Sequence, residues 1–132
     1  MPVVAHGVDL VRVDRVARLL QEHGDRFLER CFTPREAAYN AESRRRAEHL
    51  AVRFAAKEAA FKALGVGWGA DASWTEAEVV KRPSGEPTLA LSGKLAALAE
   101  ARGVRSWHLS LSHTDGIAMA SVIGDSGPNQ GV

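Results

Sequence analysis

The sequence has a single cysteine, Cys31, in 132 residues, so no disulfide can form within the chain. A lone cysteine is typical of a reducing compartment, and Cys31 is expected to pack in the interior rather than to act as a nucleophile. No apolar run approaches the roughly 20 residues of a membrane-spanning helix. The N-terminus also lacks the charged and then apolar segments of a secretory signal. We therefore expect a cytoplasmic protein.

Neither sign of charge is in excess, since 17 Lys and Arg face 16 Asp and Glu for a net charge of +1. This balance argues against a general nucleic-acid binder. The 45% hydrophobic and 25% charged content is ordinary for a globular protein. Repeats and linkers are missing too. We expect one domain over residues 1–124 and a disordered tail over 125–132, in the polar, glycine-containing ending GDSGPNQGV.

The strongest helix signal is RFAAKEAAFKALG, residues 53–65, which has no proline and ends on glycine. With about 100° of rotation per residue, a helix places its large apolar side chains on one narrow arc, in which Lys57 lies, with Glu58 at the edge. Lys62 follows one turn later. The arc must be buried and carries Leu50, Phe54, Phe61 and Leu64.

Glu58 and Lys62 allow two interpretations. They are either the i,i+4 pair of a solvated helix, with Lys57 extending its amine to water, or a carboxylate and an ammonium held where the core meets open surface. The alanines at 51, 55 and 59 are expected to leave the neighbourhood of Glu58 open.

Valines in residues 2–8 predict a first strand. Asp9 is expected to end it, because the apolar spacing then becomes helical. Asp9 is either the N-cap of that helix or an acid at a sheet edge, where sites are commonly built. The predicted inner face of the helix carries Leu10, Val13, Val16, Ala17 and Leu20. Its opposite face, which is either solvated or a docking surface for an acidic partner helix, carries Arg12, Arg15 and Arg18.

The remaining patterns predict an α+β fold with a largely antiparallel sheet, packed by helices that include one long central helix. Short helices are expected over 25–32 and, from the capping box Thr33-Pro34-Arg35-Glu36, to Asn40. The long helix should begin at Ser43. A glycine-rich loop should follow it, and then a hairpin, a helix and a final hairpin with Asp-Gly at its turn. These segments are 65–73, 74–81 with 87–91, 94–101, and 107–111 with 117–123.

Several polar residues have no evident structural task. Carboxylates such as Asp9 and Glu58 could hold Mg²⁺, which prefers oxygen ligands, while Lys62 would neutralise phosphate oxygens. The arginines at 44–46, expected in the first turn of the long helix, oppose its dipole and need solvent or a bound anion. His113, after Ser112, is a general base, a donor to phosphate or an ordinary turn histidine. The hypothesis from these residues is a Mg²⁺-dependent enzyme of phosphoryl groups.

Four stretches, in order, resemble the holo-[acyl-carrier-protein] synthases, the small bacterial class of 4′-phosphopantetheinyl transferases. They are GVDLVRVDR, RFLERCFTPRE, HLAVRFAAKEAAFKALG and WHLSLSHTDGIAMASVI. G-x-D, RFAAKEA-x-x-K-A-x-G and S-x-SHT are specific in combination, though weak singly. The resemblance extends to about Gly124. It implies transfer of 4′-phosphopantetheine from coenzyme A to a serine of an apo acyl carrier protein, with release of adenosine 3′,5′-bisphosphate.

The resemblance also implies the site. Mg²⁺ would be held by Asp9 and Glu58, and Lys62 would contact the pyrophosphate. Arg15 matches the position that docks the acidic helix of the carrier, with Arg12 and Arg18 on the same stripe. Proteins of this family are typically trimers with a site at each subunit interface. The further residues of the coenzyme A site would be Arg44, Arg45, Arg46, Arg53, Ser112 and His113.

Two positions depart from the family, since glycine is usual at His6 and an acidic or neutral residue is frequent at Arg12. These departures put the choice of carrier in doubt. Glu58 is the expected base for the carrier serine, directly or through a metal-bound water, and His113 is the rival. Two other hypotheses are a homologue that binds coenzyme A or a carrier without transfer, and a structural protein that only assembles a trimer. Whether the carrier serves fatty-acid, polyketide or peptide synthesis is left open.

Overall fold

The computed structural model describes residues 2–66 and 72–127. A strand is followed by a block of helices, a hairpin, a helix and a second hairpin, so the α+β class and the predicted order are confirmed. No helix in the described part of the chain is long and apolar enough to cross a membrane. The elements are β1 Val3–Arg12, α1 Val13–His23, α2 Asp25–Cys31, α3 Pro34–Ala38, α4 Arg46–Ala63, β2 Ala77–Lys81, β3 Pro87–Leu91, α5 Gly93–Ala101, β4 Ser106–Thr114 and β5 Ile117–Asp125.

The strands form two antiparallel sheets rather than one. The larger sheet has the order β1-β5-β4, and the smaller one pairs β2 with β3. Helix α4 packs on one face of the larger sheet, and along β1 the exposure alternates strictly from Val4 to Arg12. The other face of this sheet is open. Its exposed large apolar side chains include Val4, Val8, Leu10 and Met119.

The prediction that β1 ends at Asp9 is wrong. Asp9 lies inside the strand, opposite Ala120 of β5, and pairing continues to Arg12. Leu10 therefore belongs to the open sheet face and is 65% exposed, instead of lying on the first helix. The apolar residues after Asp9 fit the spacing of a helix as well as that of a strand. Pairing with β5 stabilises the strand, in which side chains alternate between the two faces. Arg12 is the N-cap residue of α1 and not part of the helical stripe.

The second hairpin is also longer than expected. Ser112 and His113 lie in β4, whereas the sequence pattern placed them in the turn. The predicted Asp-Gly turn is confirmed, because Asp115 and Gly116 have φ values of 48° and 75°, as a tight hairpin turn requires. Two further residue pairs, His113–Ala118 and Thr114–Ile117, extend the ladder to this turn.

Three other boundaries differ. Helix α4 begins at Arg46 rather than Ser43, and Arg45 is its N-cap residue. The strand expected from Trp74 begins at Ala77, because residues 74–76 form a 3₁₀ turn capped by Ser73. The tail was expected to be disordered, but β5 includes Asp125. Most of the predicted glycine-rich loop, 67–71, and the end of the tail, 128–132, lie outside the described residues.

The contact between β1 and α4 is unusually close at Gly7. A Cβ added there would lie 2.0 Å from the carbonyl oxygen of Ala59. The alanines at 51, 55 and 59 are fully buried in this packing. The expectation that they leave open space beside Glu58 is therefore wrong, since their small size instead admits the sheet.

The predicted apolar arc of α4 is buried, and Lys57 within it is also fully buried rather than extended to water. Its Nζ lies 2.6 Å from Oε1 of Glu36 and donates to the carbonyl oxygens of Ala77 and Trp74 at 2.8 and 3.2 Å. Burial lowers the pKa of Lys57, and the carboxylate of Glu36 opposes this effect. This ion pair joins α4 to the helical and strand segments that surround it.

Glu36 also completes the predicted capping box of α3, which is confirmed. Its Oε1 accepts from the backbone N–H of Thr33 at 2.9 Å, and its Oε2 accepts from the N–H of Val79 at 2.7 Å. The sequence indicated the cap but not the link to Lys57 and β2. One buried carboxylate thus fixes three elements against each other.

Candidate active site

Asp9, Glu58 and Lys62 come together where the middle of β1 crosses the C-terminal half of α4. Asp9 is only 9% exposed, and its Oδ1 accepts a hydrogen bond from Nζ of Lys62 at 2.7 Å. Lys62 also donates to the carbonyl oxygen of Val8 at 3.2 Å. The bond to Asp9 raises the pKa of Lys62, so its ammonium stays charged. Lys62 is thus paired with an acid from a distant strand, and not only with Glu58 one turn earlier on the same helix.

The carboxyl of Glu58 has a strongly perturbed pKa. Burial, and then the neighbouring carboxylate of Asp9, raise this pKa from 4.5 to about 7, while Arg15 and Lys62 lower it. Two adjoining acids resist being charged together. Among the described residues, Oε1 of Glu58 is one of two buried side-chain polar atoms without a hydrogen-bond partner.

These features suit a divalent cation. The orphaned oxygen of Glu58 and the adjoining Asp9 carboxylate form a hard oxygen pair, and Mg²⁺ is usually bound by one or two carboxylates together with water and substrate phosphates. In the described part of the chain, no group of three or more His, Cys, Asp or Glu is placed to hold a metal by itself. A cation here would therefore need substrate oxygens to complete its shell.

We expect Glu58 to titrate near pH 7 in the metal-free protein, and Asp9→Asn to lower that pKa because it removes the neighbouring negative charge. The value should stay above 4.5, since burial persists. ¹³C NMR titration of the glutamate carboxyls would measure both values. The folded protein holds a proton that the unfolded chain releases, so this group's contribution to stability is present below pH 4.5 and lost as the pH rises to about 7. A wild-type Glu58 that titrates near 4.5 would contradict the arrangement.

His113 lies elsewhere, beside the N-terminal end of α4. Its Nδ1 is 2.9 Å from Oε2 of Glu48, whose Oε1 lies 3.6 Å from Nε of Arg45. Arg44 and Arg45 are exposed, but Arg46 points inward and donates to the carbonyl oxygen of Ala37 at 3.0 Å. The arginine run is therefore split between two exposed side chains, of which Arg45 is paired with Glu48, and a third that contacts α3.

A basic pocket that the sequence did not reveal adjoins this cluster. The guanidinium of Arg53 stacks on the ring of Tyr39 at 4.0 Å, and Nζ of Lys81 donates to the Tyr39 hydroxyl at 2.6 Å. With His49, these residues line a cavity of about 370 Å³. Tyr39 and Lys81 are 42 residues apart, and only tertiary packing makes them neighbours. Arg53 itself was predicted as a site residue.

A second cavity, of about 450 Å³, lies between α1, α2 and α4. Its floor is apolar and includes Phe27, Phe54 and Trp74, and its basic residues are Arg15, Arg26, Arg30 and His23. Arg15, one of the predicted docking residues, lines this cavity. It is close enough to Glu58 to lower the pKa of that residue. Arg18 is exposed on α1. The basic surface thus extends onto α2 rather than following one stripe of α1.

Within one chain the predicted site residues form two groups. Glu58 is ten residues beyond Glu48 on α4, which is about 15 Å at 1.5 Å per residue. The structure therefore brings Asp9, Glu58 and Lys62 together but not His113 with Glu58. Ser112 lies on the open face of the larger sheet, in line with Met119 and Leu10.

An acid pair with a lysine, set beside a cavity with basic residues, is suited to binding phosphate groups, and the fold and site define a protein of that class. The chain belongs to the 4′-phosphopantetheinyl transferase superfamily, since the model of that family matches residues 5–122. The resemblance drawn from the sequence motifs is therefore confirmed.

Individual proteins of this family are similar to the chain in sequence and in structure. A holo-[acyl-carrier-protein] synthase of Koribacter versatilis is 46% identical over 92% of this chain and 97% of that protein. The crystal structure of holo-[acyl-carrier-protein] synthase from Neisseria meningitidis superposes with a TM-score of 0.83 at 29% identity, covering 94% of this chain and 99% of that one. The Helicobacter pylori synthase in complex with coenzyme A gives 0.78 at 30% identity, over 91% and 99%.

Proposed function

We propose that this protein transfers 4′-phosphopantetheine from coenzyme A to a serine of an apo acyl carrier protein. The observation that carries the proposal is the meeting of Asp9, Glu58 and Lys62 at one crossing of β1 and α4, within a chain whose relatives are holo-[acyl-carrier-protein] synthases. A cytoplasmic location is part of the proposal. A protein that binds coenzyme A without transfer is the alternative, and the retention of all three residues argues against it.

In the proposed reaction, the serine hydroxyl attacks the β-phosphorus of coenzyme A and adenosine 3′,5′-bisphosphate leaves. The leaving group is a phosphate, so alignment and charge neutralisation are the main demands. Lys62 would neutralise a pyrophosphate oxygen. Glu58 is the proposed acceptor of the serine proton, directly or through a metal-bound water. His113 is too distant from Glu58 within one chain to share that role there.

Asp9 and Glu58 would hold Mg²⁺, which supplies neutralisation of the negative charge that develops on the phosphate oxygens. The buried oxygen of Glu58 without a partner supports this assignment. The arginines near the start of α4 and the basic pocket around Tyr39 would bind the phosphate at the adenosine end of coenzyme A, because Arg53 and Lys81 both present cations there.

A homotrimer with sites at subunit interfaces would explain the division of the site. The open sheet face carries exposed apolar side chains, of which Leu10 is 65% and Val8 48% exposed, and further copies of the chain would cover them. Ser112, on the same face, would then lie at the subunit boundary. Sedimentation equilibrium tests this arrangement: a Leu10→Lys variant that sediments like the wild-type protein would contradict it.

The cavity between α1, α2 and α4 is the proposed docking place for the acidic helix of the carrier. We expect Arg15→Glu to raise the KM for the carrier about tenfold or more, because a repulsive charge pair replaces an attractive one. The exposed Arg105, which directly precedes β4, provides the matched control Arg105→Glu. Equal effects of the two changes on the carrier KM would refute docking at this place.

Intact mass spectrometry tests the function. An apo acyl carrier protein is mixed with this protein and coenzyme A, with and without Mg²⁺, and the expected result is a mass gain of one phosphopantetheine only when Mg²⁺ is present. Carriers of fatty-acid, polyketide and peptide synthesis are tried in parallel. A failure with every carrier, together with measurable coenzyme A binding, would favour the non-catalytic alternative.

A further inference from the structure

The backbone of Gly7 contacts α4 at the two residues that directly follow Glu58 and Lys62. The atoms that a Cβ at Gly7 would meet are the carbonyl oxygen of Ala59, at 2.0 Å, and the amide nitrogen of Ala63, at 2.9 Å. Ala59 directly follows Glu58, and Ala63 directly follows Lys62. On β1, Gly7 and Asp9 are two residues apart and both face α4.

We propose that Gly7 is a positioning residue that sets the separation of Asp9 from Glu58 and Lys62, and thereby the affinity of the acid pair for a divalent cation. The inference depends on the proposed metal site. Two residues along a strand span about 6.6 Å, so Asp9 is carried by nearly the same piece of backbone that touches α4. No side chain lies between the two backbones at this point to absorb a change.

The geometry gives the size of the effect. Real Cβ contacts are essentially never shorter than 3.0 Å, so a methyl group 2.0 Å from a backbone oxygen forces β1 and α4 apart by about 1 Å. The obstacle is backbone of a buried helix, which cannot rotate away. Mg²⁺ requires ligand oxygens at about 2.0–2.1 Å in near-ideal geometry. A shift of that size therefore prevents Asp9 and Glu58 from binding one ion together.

The experiment measures the binding of Mn²⁺, as a paramagnetic probe for the site, by electron paramagnetic resonance in the presence of coenzyme A. Gly7→Ala is expected to weaken Mn²⁺ binding about 10–100-fold, the range found when a group that supports metal ligands is lost. Loss of activity alone would not distinguish positioning from unfolding, so the metal affinity of the folded protein is the deciding measurement. Circular dichroism establishes that each variant is folded.

Gly124→Ala is the matched control. Gly124 lies on β5 of the same sheet and also faces inward, and its added Cβ would crowd Val104 at 2.9 Å and Trp107 at 3.1 Å. It is far along the sheet from Asp9, whose partner on β5 is Ala120. This variant should lose stability and keep the wild-type Mn²⁺ affinity, because its crowding leaves the crossing of β1 and α4 intact.

A second pair of variants, with smaller changes in side-chain size, tests the inference if the Gly7→Ala protein does not fold. Val11→Ile adds one methylene on the α4 side of β1, two residues after Asp9, and Val79→Ile adds the same group at a buried position on β2 of the smaller sheet. Val11→Ile should weaken Mn²⁺ binding and Val79→Ile should not. A folded Gly7→Ala or Val11→Ile protein with wild-type Mn²⁺ affinity would overturn the inference. Absence of Mn²⁺ binding by the wild-type protein would instead refute the proposed metal site.

Discussion

Replacing Lys57 by methionine is expected to lower the free energy of unfolding by about 3–5 kcal/mol, because removal of one partner leaves an uncompensated buried charge. Glu36 would keep only the N–H groups of Thr33 and Val79 as donors. The two carbonyl oxygens that Lys57 now satisfies would lose a donor as well. Urea denaturation at a fixed protein concentration measures the change.

Lys62→Met is the matched control on the same helix. The side chain of Lys62 is 60% exposed whereas that of Asp9 is 10% exposed, so water can partly replace this ammonium and Lys62→Met should destabilise the fold less than Lys57→Met. The double variant Lys57→Met/Glu36→Gln should be more stable than Lys57→Met alone, because it removes the orphaned charge. If Lys57→Met and Lys62→Met unfold at the same urea concentration, the buried pair does not have the role described.

Asp9→Asn and Glu58→Gln are each expected to reduce kcat/KM for transfer to the carrier about 10²–10³-fold, in line with the several kcal/mol that charge stabilisation supplies to such reactions. Both variants keep the size of the side chain and remove the charge that would hold Mg²⁺. Initial rates of holo-carrier formation at several Mg²⁺ concentrations give the measurement. More Mg²⁺ should not restore the rate of either variant.

The exposed Glu100 on α5, changed to glutamine, controls for the loss of one negative charge. It should transfer at the wild-type rate. Comparison of the two site variants also separates the candidate bases. If Glu58→Gln lowered only the affinity for Mg²⁺ and left kcat intact at saturation, Glu58 would be a metal ligand and not the base. His113→Ala should then show the loss in kcat.

The elements of this protein were largely predictable because their signals are local. The capping box at Thr33, the Asp-Gly turn and the apolar arc of α4 each depend on neighbours within a few residues. The boundaries were less predictable, since tertiary pairing decides them. β1 extends to Arg12 because β5 offers a partner for every residue from Ala5 onward, although the helical spacing from Leu10 competed with the strand pattern.

The site residues, too, were only partly predictable from the sequence. Motif resemblance identified Asp9, Glu58 and Lys62, and the structure brings them together. Resemblance also named Ser112 and His113, which within one chain lie on opposite faces of β4 and away from Glu58. Tyr39 and Lys81 had no signal in the sequence, because their contact joins the residue that follows α3 to β2 across the fold.

The sequence by itself determined the class of fold and the family, and it predicted the acidic residues that the structure brings together, because periodicity, caps and short motifs depend on residues close together in the chain. Only the tertiary structure decided how close β1 lies to α4 at Gly7, that Lys57 is paired with Glu36, and that Glu58 has an oxygen without a partner. Each of these depends on atoms from segments distant in sequence, and burial there gives a charge or a methyl group its large effect.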